Sequence, residues 1–409
     1  MTRRALAALL ALAAVALAGC AQASTGQSTD TVGGSVLRIY SSQPLRGALA
    51  PQAQAIVRGE RLALEDARGR VGKWRIDYRA LNDADPLTGT WEPGLVSANA
   101  RQVAQDDKTI AYLGEMGTGA SAVAIPILNE TKILEVSPTD TITGFTRRIN
   151  ANPGEPEKYY PTKDENFARL VPPDDVQAAA LLQLLQDNRS KRVFVVHDQD
   201  LYGQGVIKAF SRGARAKGIE VLKIQGVDPE QVDPARVAGD IAASGADAFL
   251  YAGEALPQVA PLYAAVAAAA PRARLYGTYT QVNPAFAARL APGATVLATA
   301  PWLDVKSYGP AALKLAQRYR RRYGETMPPH ALYGYEAMAV VLAAIRSAGK
   351  RGNERGTVIK DVLKIRRRDS VLGTYAFDRR GDVTIKVYGA YRVRRGSVVF
   401  DRVLDPLGA

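Results

Sequence analysis

The sequence predicts an α/β protein with parallel sheets, built as two α/β halves followed by a β-rich C-terminal tail. Strands and helices alternate along most of the chain, and this alternation is typical of parallel sheets that carry helices on both faces. The length of 409 residues is enough for two domains with separate cores.

In the first half, the spacing of apolar residues predicts strands that alternate with helices. They are a strand at 36–41, a helix at 52–68, a strand at 74–81, a helix at 95–106, a strand at 110–113, a helix at 120–130 and a strand at 133–136. The alternation stops at residues 146–166, a polar stretch rich in Pro, Glu and Lys. This stretch predicts either a surface insertion or a disordered loop.

The second half repeats the alternation and then changes period. Helices are predicted at 175–186, 204–217, 234–243, 256–270 and 311–323, with strands at 193–197, 220–224, 248–251 and 274–277. A long apolar helix is predicted at 332–348. The tail alternates with a period of two, which predicts a meander of antiparallel strands at 373–378, 383–387, 390–393 and 397–403.

The N-terminus predicts export. Arg3 and Arg4 precede an apolar run at 5–18, and Gly19 then leads to Cys20, which is the pattern of a secretory signal peptide over residues 1–20. The run is too short to span a bilayer comfortably. The last four residues of this segment resemble the bacterial lipoprotein-processing box, so we expect Cys20 to carry lipid. The alternative is a signal peptide with a chance cysteine.

Cys20 is the only cysteine of the chain, which excludes an intramolecular disulfide and a cysteine-based metal site. Residues 21–35, rich in Gly, Ser, Thr and Gln, predict a flexible tether. Acyl chains on Cys20 anchor a protein to the membrane. We therefore expect an extracytoplasmic protein at the outer face of the cell membrane, or on its periplasmic side.

The chain carries a net charge of +13, and removal of Arg3 and Arg4 with the signal peptide leaves +11. Basic domains often bind nucleic acid. Here the basic residues are scattered, apart from runs at 318–322 and 366–368, and the chain has no extended alternation of basic and aromatic residues of the kind typical of a nucleic-acid surface. We interpret the runs as solvated helix faces and expect no nucleic-acid partner.

Gly117–Ala122 has the pattern G-x-G-x-x-A after a predicted strand, with Glu135 18 residues beyond Gly117, as in dinucleotide sites. Three observations oppose that function: the motif follows the third strand, Glu135 lies inside a strand, and an exported protein meets no nicotinamide cofactor. Two interpretations stay open. The helix start, with the hydroxyls of Thr118 and Ser121, binds an anion such as an amino-acid carboxylate, or these side chains cap the helix.

No catalytic or metal-binding set is found in the sequence. The two histidines, His197 and His330, cannot form a three-histidine zinc site, and neither a nucleophile elbow nor a phosphate loop is present. Asp174 and Asp175 lie at a predicted helix start, where they complement the helix dipole. We therefore expect no enzymatic activity, no metal and no cofactor.

Several motifs in a shared order resemble those of one family. They are Tyr112-Leu-Gly-Glu-Met-Gly-Thr-Gly-Ala-Ser121, Ile133-Leu-Glu-Val-Ser-Pro-Thr-Asp-Thr141, Val171-Pro-Pro-Asp-Asp-Val-Gln177, Tyr202-Gly-Gln-Gly205, Tyr333-Gly-Tyr-Glu-Ala337 and Leu372-Gly-Thr-Tyr-Ala-Phe-Asp378. Between Val36 and Val403 the chain resembles the leucine/isoleucine/valine-binding family of type I periplasmic binding proteins.

The resemblance implies two Rossmann-like lobes with parallel central sheets, joined by a three-strand hinge. A ligand binds between the lobes, and binding shifts the population from open to closed. Mapped onto this chain, lobe I takes 36–170 and 302–374, and lobe II takes 171–301 and 375–409.

The resemblance also implies a ligand site. Thr118 matches a position whose hydroxyl and backbone meet the ligand carboxylate. Thr139 and Thr141, after Ser137, match contacts to the ligand ammonium and carboxylate. Tyr202 matches an aromatic residue at the rim of lobe II, with surface packing as the alternative. The full expected set is Thr118, Gly119, Ser121, Ser137, Thr139, Thr141, Tyr202, Glu254 and Tyr279.

Three positions depart from the family. Glu254 falls where the leucine binders carry a tyrosine, and Tyr279 falls where they carry the glutamate that pairs with the ligand ammonium. Asp140 replaces a small residue. Because a buried carboxylate without a partner is costly, Glu254 in the cleft predicts a ligand with a cationic or hydrogen-bond-donating group. The alternative is that Glu254 caps the next helix at the rim of the cleft.

The function that the resemblance implies is that of an extracytoplasmic solute-binding lipoprotein of an ABC importer. Such a protein captures a small polar ligand, here a branched-chain amino acid or a related amino acid or amide. It then delivers the ligand, as a monomer, to the permease and ATPase. The alternative is a ligand-sensing receptor of the same fold that reports to a signalling partner.

Overall fold

The computed structural model describes residues 30–408, so the predictions for the signal peptide, for Cys20 and for most of the tether fall outside the described residues. The strands are β1 (Val36–Gln43), β2 (Arg70–Val71), β3 (Trp74–Asn82), β4 (Thr109–Leu113), β5 (Leu134–Ser137), β6 (Phe167–Arg169), β7 (Arg192–His197), β8 (Glu220–Gly226), β9 (Ala248–Ala252), β10 (Arg274–Gly277), β11 (Thr295–Ala300), β12 (Arg368–Ser370), β13 (Gly373–Tyr375), β14 (Tyr388–Arg394) and β15 (Ser397–Leu404).

The helices alternate with these strands over most of the chain. They are α1 (Ala50–Asp66), α2 (Pro93–Gln105), α3 (Ser121–Glu130), α4 (Asp174–Asp187), α5 (Leu201–Ala214), α6 (Pro234–Ser244), α7 (Val259–Ala269), α8 (Pro284–Arg289), α9 (Pro310–Tyr323), α10 (Pro329–Ser347) and α11 (Arg355–Leu363).

The first sheet has the strand order β2-β3-β1-β4-β5-β6. All neighbours pair in parallel except β2, which is antiparallel to β3. Helices α2 and α3 cover one face around the buried rings of Tyr40 and Tyr112, and α1, α10 and α11 cover the other. Cover on both faces explains why β4 is buried at every position.

The second sheet has the strand order β15-β14-β11-β10-β9-β7-β8. The strands from β11 to β8 are parallel, and β14 and β15 add an antiparallel edge. Helices α4 and α5 cover one face, and α6, α7 and α8 cover the other. The predicted fold class, α/β with two sheets that are mainly parallel, is confirmed.

The chain passes between the two sheets at 170–173, 301–309 and 376–387. The fully buried side chain of Arg169 joins the first and third connections, because its Nε donates to Asp382 Oδ1 at 2.7 Å. Arg147 donates to the other Asp382 oxygen at 2.5 Å and to Asp175, at the start of α4, at 2.9 Å. The predicted lobe boundaries stay a proposal, which the membership of the two sheets supports.

The predicted tether is shorter than the expected 21–35. Val32 is fully buried, and its backbone N–H donates to the Asn353 carbonyl oxygen at 2.8 Å. Thr31 forms an isolated bridge with Glu354. The folded part therefore begins before Val36, and the polar composition around Val32 hid its burial.

The polar stretch 146–166 is folded against lobe I rather than disordered. Tyr159 and Tyr160 are buried in a cluster with Phe145 and Phe167, and the Tyr160 hydroxyl donates to the Phe145 carbonyl oxygen at 2.9 Å. Its polar side chains are used internally, since Glu155 accepts a hydrogen bond from the Tyr159 hydroxyl at 2.7 Å. Of the two alternatives predicted for this stretch, these contacts favour the surface insertion over the disordered loop.

The predicted C-terminal meander is wrong in its first two strands. Residues 383–387 form no strand, only an isolated bridge between Val383 and Phe377. Strand β13 pairs with β12 in a separate two-stranded sheet, whereas β14 and β15 are antiparallel neighbours at the edge of the second sheet. Alternation identifies a strand with one buried face, but it does not identify the strand's partner.

Helices α1 and α10 cross at a pair of glycines. A Cβ atom on Gly334 would lie 2.1 Å from the Ile56 carbonyl oxygen, and one on Gly59 would lie 2.0 Å from the Ala331 carbonyl oxygen. No heavy atoms are found within 4 Å of a Cβ built on Gly239, which lies inside α6. The close crossing therefore requires glycine at the first two positions and not at the third.

We expect Gly334→Ala to lower the free energy of unfolding by about 1–3 kcal/mol, the usual effect of overpacking. Gly239→Ala is the matched control, and it should raise the free energy of unfolding by up to about 1 kcal/mol because alanine is the better helix former. Urea denaturation followed by circular dichroism measures both. Equal stabilities of the two variants would contradict the close helix crossing.

Candidate functional site

A cavity of about 320 Å³ lies between the lobes, and we call it the interlobe cavity. Lobe I lines it with Trp91 and Thr118, the latter in the loop after β4, and lobe II with Glu254 after β9 and Tyr279 after β10. These loops leave the carboxyl ends of parallel strands, which is where open α/β sheets bind ligands.

The glycines of the Gly117–Ala122 motif make room for an indole ring. A Cβ atom on Gly117 would lie 2.3 Å from Trp91 Cδ1, so any other residue would displace the ring. Gly119 has a φ of +103°, in the region that side chains disfavour. Both glycines thus serve the packing of Trp91 against the loop.

The carboxylate of Asp140 accepts hydrogen bonds at the start of α3, the helix that follows this motif. The Ser121 N–H donates to Asp140 Oδ2 at 3.4 Å, and the Ile142 N–H donates to Oδ1 at 3.3 Å. No side chain caps α3. Burial raises the pKa of Asp140 to about 6, while the backbone N–H groups and Arg169 oppose that rise. Asp140 is therefore ionised at neutral pH and occupies the place expected for a ligand anion.

Several expected site residues lie behind the wall of the interlobe cavity. The Ser137 hydroxyl donates to the Glu115 carbonyl oxygen and accepts the Asp140 N–H, both at 2.8 Å. The Thr139 hydroxyl donates to the Met116 carbonyl oxygen at 3.1 Å. These contacts tie the loop after β5 to the loop after β4, which holds Thr118 in place.

Thr118 and Tyr279 connect the lobes directly. Their hydroxyls form a hydrogen bond, and the Thr141 hydroxyl lies 3.4 Å from that of Thr118. The Tyr279 ring packs against Tyr202, with 4.9 Å between the ring centroids, and against Trp302, with 5.5 Å between them. The Thr118 hydroxyl, expected to meet the ligand carboxylate, thus already has a protein partner.

Tyr202 supports the site from inside lobe II. It is 2% exposed, and its hydroxyl donates to Gln177 Oε1 at 2.9 Å. Its ring contacts Tyr279 rather than the interlobe cavity. Of the nine expected residues, Thr118, Glu254 and Tyr279 line this cavity.

Glu254 brings an unpartnered carboxyl group to the cavity wall. Its backbone N–H donates to Asp198 Oδ2 at 2.6 Å, and Asp198 also accepts the Asp200 N–H at 3.2 Å. Within residues 30–408 the Glu254 carboxyl group has no hydrogen-bond or ion-pair partner. Helix α7 begins later, with Gln258 at its cap position, so Glu254 is not its cap.

Burial raises the pKa of the Glu254 carboxyl group to about 8, and the carboxylates of Asp198 and Asp200 raise it further in the same direction. A cation or a hydrogen-bond donor that enters the cavity would favour the ionised form of this group. The electrostatics of this wall therefore favour a cationic or donating ligand group.

Sequence reasoning missed three aromatic residues of the wall: Trp91, Trp302 and His330. His330 packs against Trp302 with 4.4 Å between ring centroids, and burial lowers its pKa to about 4, which keeps the imidazole neutral. A lone histidine between Pro328-Pro329 and an apolar helix is the only signal that pointed to it.

In the described part of the chain, no three side chains of His, Cys, Asp or Glu type are grouped as metal ligands. Across the same residues, no helix combines the length and the apolar character that crossing a membrane requires.

Known proteins match this chain along nearly its whole length. The family described as "Periplasmic binding protein" matches residues 38–397. An amino acid binding protein of Pseudomonas aeruginosa is 23% identical over 375 residues, which cover 90% of this chain and 92% of that protein. The Leu/Ile/Val-binding protein BraC3 of Rhizobium johnstonii is 25% identical over 368 residues, covering 87% and 91%.

Among solved structures, the leucine binding protein LivK of Thermotoga maritima has a TM-score of 0.75 and 21% sequence identity to this chain. The match covers 90% of this chain and 99% of LivK. A likeness of this degree shows that the two chains share their fold.

Tyr279→Phe removes the hydrogen bond to Thr118 and keeps the ring packing. We expect the variant to populate a more open arrangement of the lobes, with a larger radius of gyration in small-angle X-ray scattering and about 1 kcal/mol less stability. Tyr276→Phe is the matched control, because the Tyr276 hydroxyl bonds Ser190 within lobe II at 2.9 Å. The same radius of gyration for both variants would argue against an interlobe role for the Tyr279 hydroxyl.

Proposed function

This chain belongs to the family of periplasmic binding proteins, and from that premise we propose that it is the solute-binding lipoprotein of an ABC importer. It captures a small polar ligand between its lobes and hands it to a permease and ATPase. The observation that carries the proposal is the interlobe cavity, which residues of both lobes line and into which Glu254 brings an unpartnered carboxyl group. Relatives named as amino-acid and Leu/Ile/Val-binding proteins support it.

The wall of the interlobe cavity favours ligands with an amide or amine group over ligands with a free carboxylate. Asp140 fills the helix start that would hold a ligand carboxylate, and Tyr279 bonds the Thr118 hydroxyl. The carboxyl group of Glu254 is still free to bind a cationic or hydrogen-bond-donating group of the ligand. Among amino acids and their relatives, amides and amines match this wall better than free carboxylates do.

Binding requires no bond to be made or broken in the ligand. A ligand that contacts Trp91 and Thr118 on one side and Glu254 on the other bridges the lobes. Since such a ligand binds the closed state more tightly than the open state, it shifts the population toward closure. The proposed protein is thus a monomeric binding protein and not an enzyme.

Export and anchoring complete the proposal. The family match begins at residue 38, after the proposed signal peptide and tether, and Cys20 supplies the thiol for lipid attachment. More than one acyl chain gives stable anchoring. The lobes are then held close to the membrane face at which a permease receives ligand.

Glu254→Gln tests the ligand-binding role. In a thermal-shift screen of amino acids, amides, ureas and amines, ligands stabilise a protein by RT ln(1 + [L]/Kd). We expect amides and amines to stabilise the wild type and the control variant Glu230→Gln, an exposed position of the same lobe, and to lose about tenfold or more in affinity with Glu254→Gln. Tight binding of leucine, isoleucine or valine, unchanged by Glu254→Gln, would refute the role of Glu254.

The same variant has a predicted pH signature without ligand. The folded chain keeps the Glu254 proton up to a pKa of about 8, whereas an unperturbed glutamate loses it near 4.5. This carboxyl group therefore destabilises the fold progressively as the pH rises through that interval. Glu254→Gln should be more stable than wild type at pH 8, by about 1 kcal/mol or more, and of equal stability at pH 4. A stability difference that does not depend on pH would contradict the raised pKa.

Cys20→Ser tests the anchor. We expect the wild type to incorporate radiolabelled palmitate and to sediment with membranes, because lipid on the Cys20 thiol holds it there. The variant should do neither, while Ser24→Ala, a control in the tether, should behave as wild type. Palmitate incorporation into Cys20→Ser would rule out this site.

A further inference from the structure

A second cavity, of about 350 Å³, adjoins the interlobe cavity. Its walls differ in chemistry, since they are mostly proline, aliphatic and aromatic side chains. Its residues include Pro51, Pro284, Pro329, Tyr391, Val398 and Phe400. Asp304 also lies in this wall, but its carboxylate is engaged with the Lys306 N–H at 2.9 Å.

The two cavities adjoin each other. They share wall residues from both lobes, among them Gln52, Val282, Asn283, Trp302 and His330. Each cavity has the volume of a small ligand site. A molecule that fills only the interlobe cavity would therefore leave an apolar space of similar size empty beside it.

His330 stands where the two cavities meet. It is 6% exposed, lines both cavities, and makes no hydrogen bond to any residue of the described chain. Its ring is held in place against Trp302. No His330 nitrogen is among the fully buried, unpartnered atoms of the described residues, so the ring nitrogens are open to the cavities and free to bond a molecule that enters them.

We propose that the ligand of this protein extends through both cavities, with an amine or amide head at Glu254, a polar atom at His330, and an aromatic body in the second cavity. This inference rests on the proposed function, since it concerns the same cleft. It adds that the ligand class is an aromatic amine or amide rather than a small aliphatic amino acid.

The charged groups of the two cavities indicate which end of the ligand lies in which cavity. The head belongs beside Glu254, where the neighbouring carboxylate of Asp198 also attracts a cation. The acidic residue that lines the second cavity, Asp304, already accepts the Lys306 N–H, whereas no described residue bonds the carboxyl group of Glu254. A neutral imidazole both donates and accepts hydrogen bonds, so His330 suits a neutral polar atom in the middle of the ligand.

The experiment measures binding to the mature protein by titration calorimetry. It uses two pairs of probes, and the members of each pair carry the same polar head group but differ in their body. The amine pair is butylamine and tryptamine, and the amide pair is alaninamide and tryptophanamide. Val398→Trp places an indole in the second cavity. Val399→Trp is the control, because Val399 is 52% exposed on the opposite face of β15. Melting of the unliganded variants reports whether they fold.

We expect each aromatic probe to bind wild type and Val399→Trp at least about tenfold more tightly than its aliphatic partner, the gain from burying an aromatic body. Val398→Trp should remove this preference and keep the affinity for the aliphatic probes. His330→Phe, which keeps a ring against Trp302, should weaken tryptophanamide several-fold more than alaninamide, and this difference is the test that remains if Val398→Trp does not fold.

Equal affinity for aromatic and aliphatic probes in the wild type would overturn this inference and leave the proposed function standing. So would an aromatic preference that survives both Val398→Trp and His330→Phe. Failure of every probe to bind the wild type would count against the proposed function itself, and the inference would fall with it.

Discussion

The buried ion pair between Arg169 and Asp382 is the contact on which the arrangement of lobes and cleft depends. Arg169 ends the last strand of the first sheet, and Asp382 lies on the third connection between the lobes. Both side chains are at most 1% exposed, and the pKa of Asp382 is lowered by Arg169 and Arg147 against the effect of burial. Because a buried charge that loses its partner is strongly destabilising, the pair fixes where two of the three connections leave lobe I.

The same arginine reaches the ligand site. Its Nη1 donates to the Ile142 carbonyl oxygen at 2.6 Å, and its charge lowers the pKa of Asp140, which burial alone would raise further. Asp140 stays ionised and neutralises the start of α3. One cation thus contacts both the third connection, at Asp382, and the loop after β5, whose Asp140 meets the start of α3.

The sequence predicted those features that follow from local pattern. Strands β1, β4, β7 and β9 were found because continuous apolar runs between turns are typical of buried parallel strands. Strand β11, Thr295–Ala300, was missed because a short, mainly apolar run such as this one, between Gly293 and Pro301, fits helix and strand equally. The Gly117–Ala122 motif indicated the cleft loop, but the contact of Thr118 with Tyr279, 161 residues away, depends on tertiary structure and has no local signal.

Asp140, Glu254 and Tyr279, the three positions at which the chain departs from what the resemblance implies, lie on loops that meet around the cleft. Glu254 and Tyr279 follow the adjacent parallel strands β9 and β10, where the resemblance implies the reverse order, a tyrosine at 254 and a glutamate at 279. Tyr279 can then bond Thr118, and Asp140 can fill the start of α3. With both positions for a ligand carboxylate occupied, the open part of the cleft lies between Glu254, Trp302 and His330.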